Sequence, residues 1–259
     1  MRLLLLKALI GFILPIIGID LAHAGNVKCE SGKLHGSILF SGEIQPGDYS
    51  RLVACERLIF VEEMSSLPTD LVISSPGGSV FEAMKIGEYV RRNKMRVVIP
   101  DTGECFSSCV YILAAGVIRW PWGDIGIHRP YFEAKPNQGY DTALKILFDK
   151  SRAYFRQMNI PESLADDMFS IPPQDMQLLG DSALGKYRLN QSDMAYEEEV
   201  ANRNAAVYGL TRAEYMRRLK ESERLSKECR DAMPKPVSTI NVVRCGDIGY
   251  KKAGLILKK

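Results

Sequence analysis

The sequence predicts an α/β fold followed by a helical C-terminal extension, and three observations predict it. Short apolar segments bounded by Gly, Pro and Ser alternate with segments of helical period between residues 36 and 115, the pattern of parallel strands joined by right-handed crossover helices. Glycine and proline are dispersed, at 21 and 13 of 259 residues, and 46% of the chain is hydrophobic, which supports a core and argues against disorder. Beyond Leu189 the composition turns charge-rich with helical spacing as far as Met233, where Pro234 and Pro236 interrupt it.

Residues 1–24 read as an address. Arg2 and Lys7 precede an apolar run from Ala8 to Ile19, and Ala22-His23-Ala24 is an A-x-A cleavage signature, so a leader cut after Ala24 is expected. A retained membrane anchor is the alternative. Its 17 residues from Leu3 to Ile19 fall short of the roughly 20 that a spanning helix needs. The six cysteines, Cys29, Cys55, Cys105, Cys109, Cys229 and Cys245, all follow the leader. An even number in an exported chain favours disulfides, and proximity pairs Cys29 with Cys55, Cys105 with Cys109, and Cys229 with Cys245. Zinc is disfavoured, since there is no paired C-x-x-C and only His35 and His128 remain after the leader.

Taken in order, Gly36–Glu43 alternates like a strand and Pro46-Gly47-Asp48 ends it. Tyr49–Met64 carries Leu52, Val53, Cys55, Leu58, Ile59 and Val61 at near-helical spacing. Leu71-Val72-Ile73 is a short buried strand running into Ser74-Ser75-Pro76-Gly77-Gly78. The next helix has Val80, Met84, Ile86, Tyr89 and Val90 on its apolar face. Arg96–Pro100 is a further strand, and Phe106–Ala115 is apolar enough for a buried helix. Residues 141–158 form an amphipathic helix whose stripe suits either the core or an oligomer contact. Tyr196–Met233 is helical in pattern, its bases interleaved with acids as on a solvated face. Two strand-like pieces, Ser238–Arg244 and Gly254–Leu257, close the chain. A formal charge of only +3 gives no support to nucleic acid as a partner.

Chemistry concentrates at three places. His128 is the histidine with context, approached by the apolar Ile125-Gly126-Ile127 and followed by Pro130, whereas His35 lies in a polar stretch that suits a surface. Ser107 stands at a strand-to-helix junction. A serine there caps the helix or acts as a nucleophile beside backbone N–H groups that hold an oxyanion. Gly77-Gly78 lets the backbone approach a substrate closely.

These blocks, Ser74-Ser75-Pro76-Gly77-Gly78, Gly103-x-x-x-Ser107, Ile112-Leu113-Ala114-Ala115-Gly116 and Ile127-His128-Arg129-Pro130, resemble the proteolytic subunit of the Clp protease and its exported relatives, within the Clp/crotonase fold of repeated ββα units. The resemblance covers about residues 34–190. It implies domains at 1–24 (leader), 25–190 (peptidase) and 191–259 (extension). It further implies Ser107 as nucleophile, His128 as general base, and the amides of Gly78 and Ser108 as oxyanion hole. Asp175 comes nearest the family's third member, with Asp166, Asp167 and Asp181 as competitors. Cys105 and Cys109 flank the serine as in exported relatives, implying a clamp on the nucleophile turn.

No metal, nucleotide or other cofactor is implied. The expected partners are a peptide or unfolded protein, and further copies of the chain through residues 141–158. An ATP-driven unfoldase is not expected in a periplasmic or secreted setting. Three other readings remain at this point: a non-catalytic peptide-binding or assembly protein of the cell envelope, crotonase-type acyl-coenzyme A chemistry, and a serine–lysine peptidase using Lys85 or Lys94.

Overall fold

The computed structural model describes residues 25–32, 36–59, 68–131 and 138–256. The leader, His35 and the end of the helix expected to reach Met64 lie outside the described residues. Strands β1 (Asn26–Glu30), β2 (Ser37–Ser41), β3 (Asp70–Ser74), β4 (Arg96–Ile99) and β6 (Ile118–Pro121) form one sheet in the order β1-β2-β3-β4-β6. β1 runs antiparallel to β2, and the rest are parallel. A second sheet, β5-β7-β8, holds β5 (Glu104–Phe106) parallel to β7 (Asp124–Ile127) and β7 antiparallel to β8 (Gln177–Leu178).

Crossover helices bury one side of the main sheet. Ile38 and Phe40 of β2 and Leu71 and Ile73 of β3 are buried at the two-residue period of one sheet face. They share a core with α1 (Asp48–Glu56), α2 (Val80–Arg92) and α3 (Cys109–Ala115). α2 buries Ala83, Ile86, Gly87 and Val90, the i, i+3, i+4, i+7 stripe of an amphipathic helix. Ser79 caps it, its hydroxyl accepting from the Glu82 N–H at 3.3 Å. The Glu82 carboxylate does not return to its own cap. It accepts instead from the N–H groups of Gly47 and Tyr49, both at 2.9 Å, and so ties α2 to the start of α1. All seven residues of α3 are buried, as its unbroken apolar sequence requires.

The expected helix at 141–158 is α4 (Gln138–Gln157). Most of its stripe enters this chain's own core, with Leu147, Tyr154, Phe155 and Met158 buried and Ile146 exposed. The Tyr154 hydroxyl donates to the Tyr111 carbonyl at 2.9 Å and occupies the space over Gly87 where any side chain would collide with it. α5 (Ser163–Ser170) and α6 (Asp181–Lys186) complete this body.

The C-terminal region departs from expectation twice. The charge-rich stretch is two helices, α7 (Met194–Val207) and α8 (Arg212–Asp231), because Gly209 turns the chain at φ +65° and Thr211 caps a new start by accepting from the Glu214 N–H. The strand expected at Ser238–Arg244 is helix α9 (Thr239–Lys252), and Gly254 to Ile256 belongs to no strand, with Leu257 outside the described residues. The β-branched Ile240, Val242 and Val243 favour a strand locally, but packing against α8 overrides that preference. Gly249 sits so close to α8 that a Cβ would strike Ser226 Oγ and the Ser222 carbonyl, and Cys245 pairs with Cys229 of α8. Cys29–Cys55 and Cys105–Cys109 are likewise at disulfide distance, with Cα separations of 5.5 and 5.2 Å.

One buried cluster joins α7 to the rest. The Arg119 guanidinium, 1% exposed, donates to the carbonyls of Ala114 (3.1 Å), Arg188 (3.0 Å), Gln191 (3.1 Å) and Met158 (3.4 Å). Beside it Asp193 caps α7 through the N–H groups of Ala195 and Tyr196, accepts from Asn159, and pairs with Arg91 at 3.0 Å. Burial lowers the Arg119 pKa to about 10, helped by the neighbouring Arg91 charge and opposed by Asp193. Burial alone would raise the Asp193 carboxyl, but the Asn159 bond, the Arg91 charge and the Tyr196 N–H hold it below its ordinary value.

Arg119→Ala should cost about 3 kcal/mol or more, measured as a shift in the urea midpoint of the whole chain, because it leaves several buried carbonyls without their donor, while Asp193 keeps Arg91 and Asn159. Since Asp193 is more acidic folded than unfolded, its contribution is present above the ordinary aspartate range and is lost as pH falls through it. Asp193→Asn should therefore lower stability at pH 7 and flatten the fall in stability below about pH 4, read from denaturation midpoints across pH.

Candidate active site

The site is built on backbone pairing between short strands. Beyond β3 the chain continues to Ser75, whose N–H donates to the Glu104 carbonyl (2.7 Å) and whose carbonyl accepts from the Phe106 N–H (3.0 Å). β5 is thereby docked against the Pro-Gly-Gly turn on one side and β7 on the other. In the β5–β7 register Phe106 lies opposite Gly126, so Ser107 and His128 follow the ends of two neighbouring parallel strands. The Ser107 N–H donates to the Gly126 carbonyl at 2.9 Å and fixes the step from strand to turn.

Ser107 has φ +54°, a left-handed conformation that side chains with a Cβ rarely adopt. Such strain persists only where surrounding contacts hold it. Here the Gly126 bond and the Cys105–Cys109 pair hold it, with both sulfur-bearing residues fully buried. Gly77 (φ +105°) and Gly78 (φ +132°) form the opposing turn. A Cβ on Gly77 would lie 2.8 Å from Ser107 Cβ, so the two turns need glycine to approach this closely. The Ile44 N–H donates to the Gly77 carbonyl (2.7 Å) and the Ser79 N–H to the Ile44 carbonyl (2.8 Å), fixing the Gly78 peptide between them. Among the described residues, neither the Gly78 nor the Ser108 N–H donates to a protein acceptor. Two free amides flanking a strained serine are what an oxyanion hole requires. Ser108 is 1% exposed, and its hydroxyl has no partner among the described residues.

Ser107, His128 and Gly78 line one cleft of about 450 Å³ with Glu43, Pro76, Gly77, Ser79, Pro130 and Tyr131. His128 is 8% exposed. Its Nδ1 lies 2.9 Å from the Pro173 carbonyl, which can only accept, so Nδ1 carries the proton and the Nε2 lone pair is left for a proton from a nucleophile. The Arg129 N–H donates to the Ile171 carbonyl at 3.0 Å, which lays the 171–173 segment alongside the histidine. Ser107 Oγ makes no hydrogen bond to His128 among the described residues. Such bonds are often long in the absence of substrate.

The expected third member makes no hydrogen bond to the histidine among the described residues. Asp175 is exposed, and the Pro173 carbonyl occupies the place facing Nδ1 that a triad carboxylate would take. Extending the β7–β8 register from Ile127 opposite Gln177 puts Asp175 level with Arg129, one step past His128. The competitors are engaged elsewhere or exposed: Asp166 with Arg152 (2.5 Å), Asp167 with Lys186 and Tyr187, and Asp181 exposed in the first turn of α6. Lys85 pairs with Glu82 and Lys94 with Glu199, and neither lines the cleft, so neither takes the place of His128. The Pro173 carbonyl escaped sequence reading because a main-chain atom carries no residue signature. Its only sequence trace is Pro172-Pro173, which cannot continue a helix.

Comparison with known proteins finds likeness over part of the chain. Subunit 3 of the ATP-dependent Clp protease proteolytic component from Synechococcus sp. (strain CC9605) is 34% identical over 113 residues, 42% of this chain and 56% of that protein. Subunit 2 from Prochlorococcus marinus (strain MIT 9312) is 33% identical over 113 residues, 42% of this chain and 55% of that protein. The chain thus spans a little over half the length of the curated relatives it matches. Among solved structures, a mutant of the 1510-N membrane-bound stomatin-specific protease aligns with a TM-score of 0.45 and 14% identity, covering 66% of this chain and 86% of that one. Residues 32–146 match the Clp protease family, and Gly78, Ser107, Ser108 and His128 all fall within that domain, whereas Pro173 and Asp175 lie beyond it.

Proposed function

We propose that the chain is an exported serine peptidase of the Clp/crotonase type that works without ATP, using Ser107 as nucleophile and His128 as general base. The observation that carries this reading is the shared cleft. It brings together a strained serine, a histidine with its Nε2 unencumbered, and the free amide of Gly78, with the free amide of Ser108 next in the chain. The Ser107 proton passes to Nε2 as Oγ bonds to the scissile carbonyl carbon, and the negative oxygen is held by the two amides. Collapse breaks the C–N bond, and the imidazolium returns the proton to the leaving amine. Water, deprotonated by the same nitrogen, then releases the acyl group as a carboxylate.

Support for export comes from the leader sequence and from three cysteine pairs at disulfide distance. Outside the cytoplasm a nucleotide-driven unfoldase has no fuel, so peptides and unfolded segments are the proposed substrates. The 25–190 peptidase unit and the 191–259 extension form the proposed division, with the Arg119–Asp193 cluster at their junction. Association of copies through α4 would rest on its exposed residues, Ile146 among them, because most of its apolar stripe is already used internally.

A non-catalytic peptide-binding protein is the second reading, favoured by one observation: His128 has a carbonyl rather than a carboxylate as its partner. Labelling of the full chain with a fluorophosphonate probe separates the two. The peptidase reading expects labelling of Ser107, abolished in Ser107→Ala and reduced about a thousand-fold or more in His128→Ala. An unlabelled wild type that still binds peptide establishes the second reading. Asp175→Ala should change the labelling rate by no more than about two- to three-fold, the scale of an ordinary surface substitution. A loss as large as that of His128→Ala would make Asp175 the third member after all. Replacing Cys105 and Cys109 together with alanine should cost about 2 kcal/mol from loop closure. The labelling rate per folded molecule should fall as well, with folding followed by circular dichroism on the same sample.

A further inference from the structure

We propose that Glu43 selects a cationic side chain, lysine or arginine, beside the scissile bond; this rests on the peptidase reading of the same cleft. Among the described residues, Glu43 is the one carboxylate lining the cleft, and no lysine or arginine lines it. It forms no ion pair among the described residues, its one side-chain contact being a 3.3 Å donation from Gln45 at the exposed rim.

Its position is tied to the reacting centre. Ile44, the next residue, bridges to Gly78 in parallel register and is fixed by the Gly77 carbonyl and the Ser79 N–H. A Cβ added at Gly78 would lie 3.0 Å from Glu43 Cγ, so the Glu43 stem packs against the peptide whose N–H faces the developing oxyanion. Pro130 and the exposed ring of Tyr131 line the same cleft. A proline and an aromatic ring in the same cleft as an unpaired carboxylate suit a side chain that is apolar along its stem and positive at its tip. An aliphatic residue would gain only the apolar contact, and an acidic one would meet like charge.

The test uses paired fluorogenic peptides that differ only in lysine, norleucine or glutamate at each position flanking the cleaved bond, with kcat/KM taken as a ratio so that a general change in activity cancels. Wild type should prefer lysine over norleucine by about five-fold at one position, the scale of a largely exposed ion pair, and the ratio should shrink with added salt. Glu43→Gln should bring the ratio to about one, Glu43→Asp should keep part of it, and Glu43→Lys should turn the preference toward glutamate. Cleavage without a lysine preference, or a preference unchanged in Glu43→Gln, overturns the inference and leaves the peptidase reading standing. Failure of Ser107 to label with the fluorophosphonate probe overturns both.

Discussion

The three-strand arrangement of Ser75, β5 and β7 is the constraint from which the site follows. Two main-chain bonds hold Ser75 against β5, and the β5–β7 ladder ends with Phe106 opposite Gly126. Because the strands are parallel, their C-terminal ends lie side by side, and the next residue of each, Ser107 and His128, is delivered to the same edge. The glycine turn reaches that edge from the main sheet, since β3 leads directly into it. Three segments distant in sequence therefore converge through backbone bonds, with glycine at the turn and the Cys105–Cys109 pair beside Ser107 as the side-chain conditions.

That backbone origin explains what could be read from the sequence. Ser107, His128 and Gly78 were legible because each stands beside punctuation that has few uses: a glycine pair after a buried strand, a small polar residue before an all-apolar helix, and a histidine before proline. The strands and helices of the body were legible from period, with α3 and β3 apolar throughout because both are enclosed. The cysteine pairs followed from proximity along the chain. The orienting partner of His128 was not legible, because it is a carbonyl oxygen and every residue has one. The fold of Ser238–Arg244 was hidden for another reason. Its helical state depends on Gly249 and Cys245 meeting Ser222, Ser226 and Cys229 of α8, a contact that local propensity cannot anticipate.

The extension is attached through charge rather than through a continuous apolar core. α7 to α9 have their own small cluster of Ala205, Tyr215 and Leu255, separate from the main one. What joins the two is Arg119, whose donors reach carbonyls from α3, the end of α4 and the segment before α7, next to an Asp193 that caps α7 and pairs with Arg91. A buried, hydrogen-bonded cluster of this kind is sensitive to the loss of any one member, because each leaves its partners desolvated and unpaired. The junction is accordingly geometrically exact but chemically replaceable only as a unit.

The Pro173 carbonyl also shifts the division of labour in the proposed chemistry. A carboxylate facing Nδ1 both orients the imidazole and offsets the positive charge it acquires, whereas a carbonyl orients it equally well but offers only a dipole. The imidazolium formed as Ser107 attacks is then less stabilised, and a larger share of transition-state stabilisation must come from the oxyanion side, where the donors are fixed main-chain amides. In the proposed chemistry the glycines that admit close approach and the Ile44 bonds that fix Gly78 would serve that side. In the proposed chemistry, orientation of the base would depend on the path of 171–173, which the main-chain Arg129–Ile171 bond holds alongside it. Residues that shape this path, Pro172 and Pro173 above all, would then act as positioning residues for His128 although their side chains contribute no charge to it.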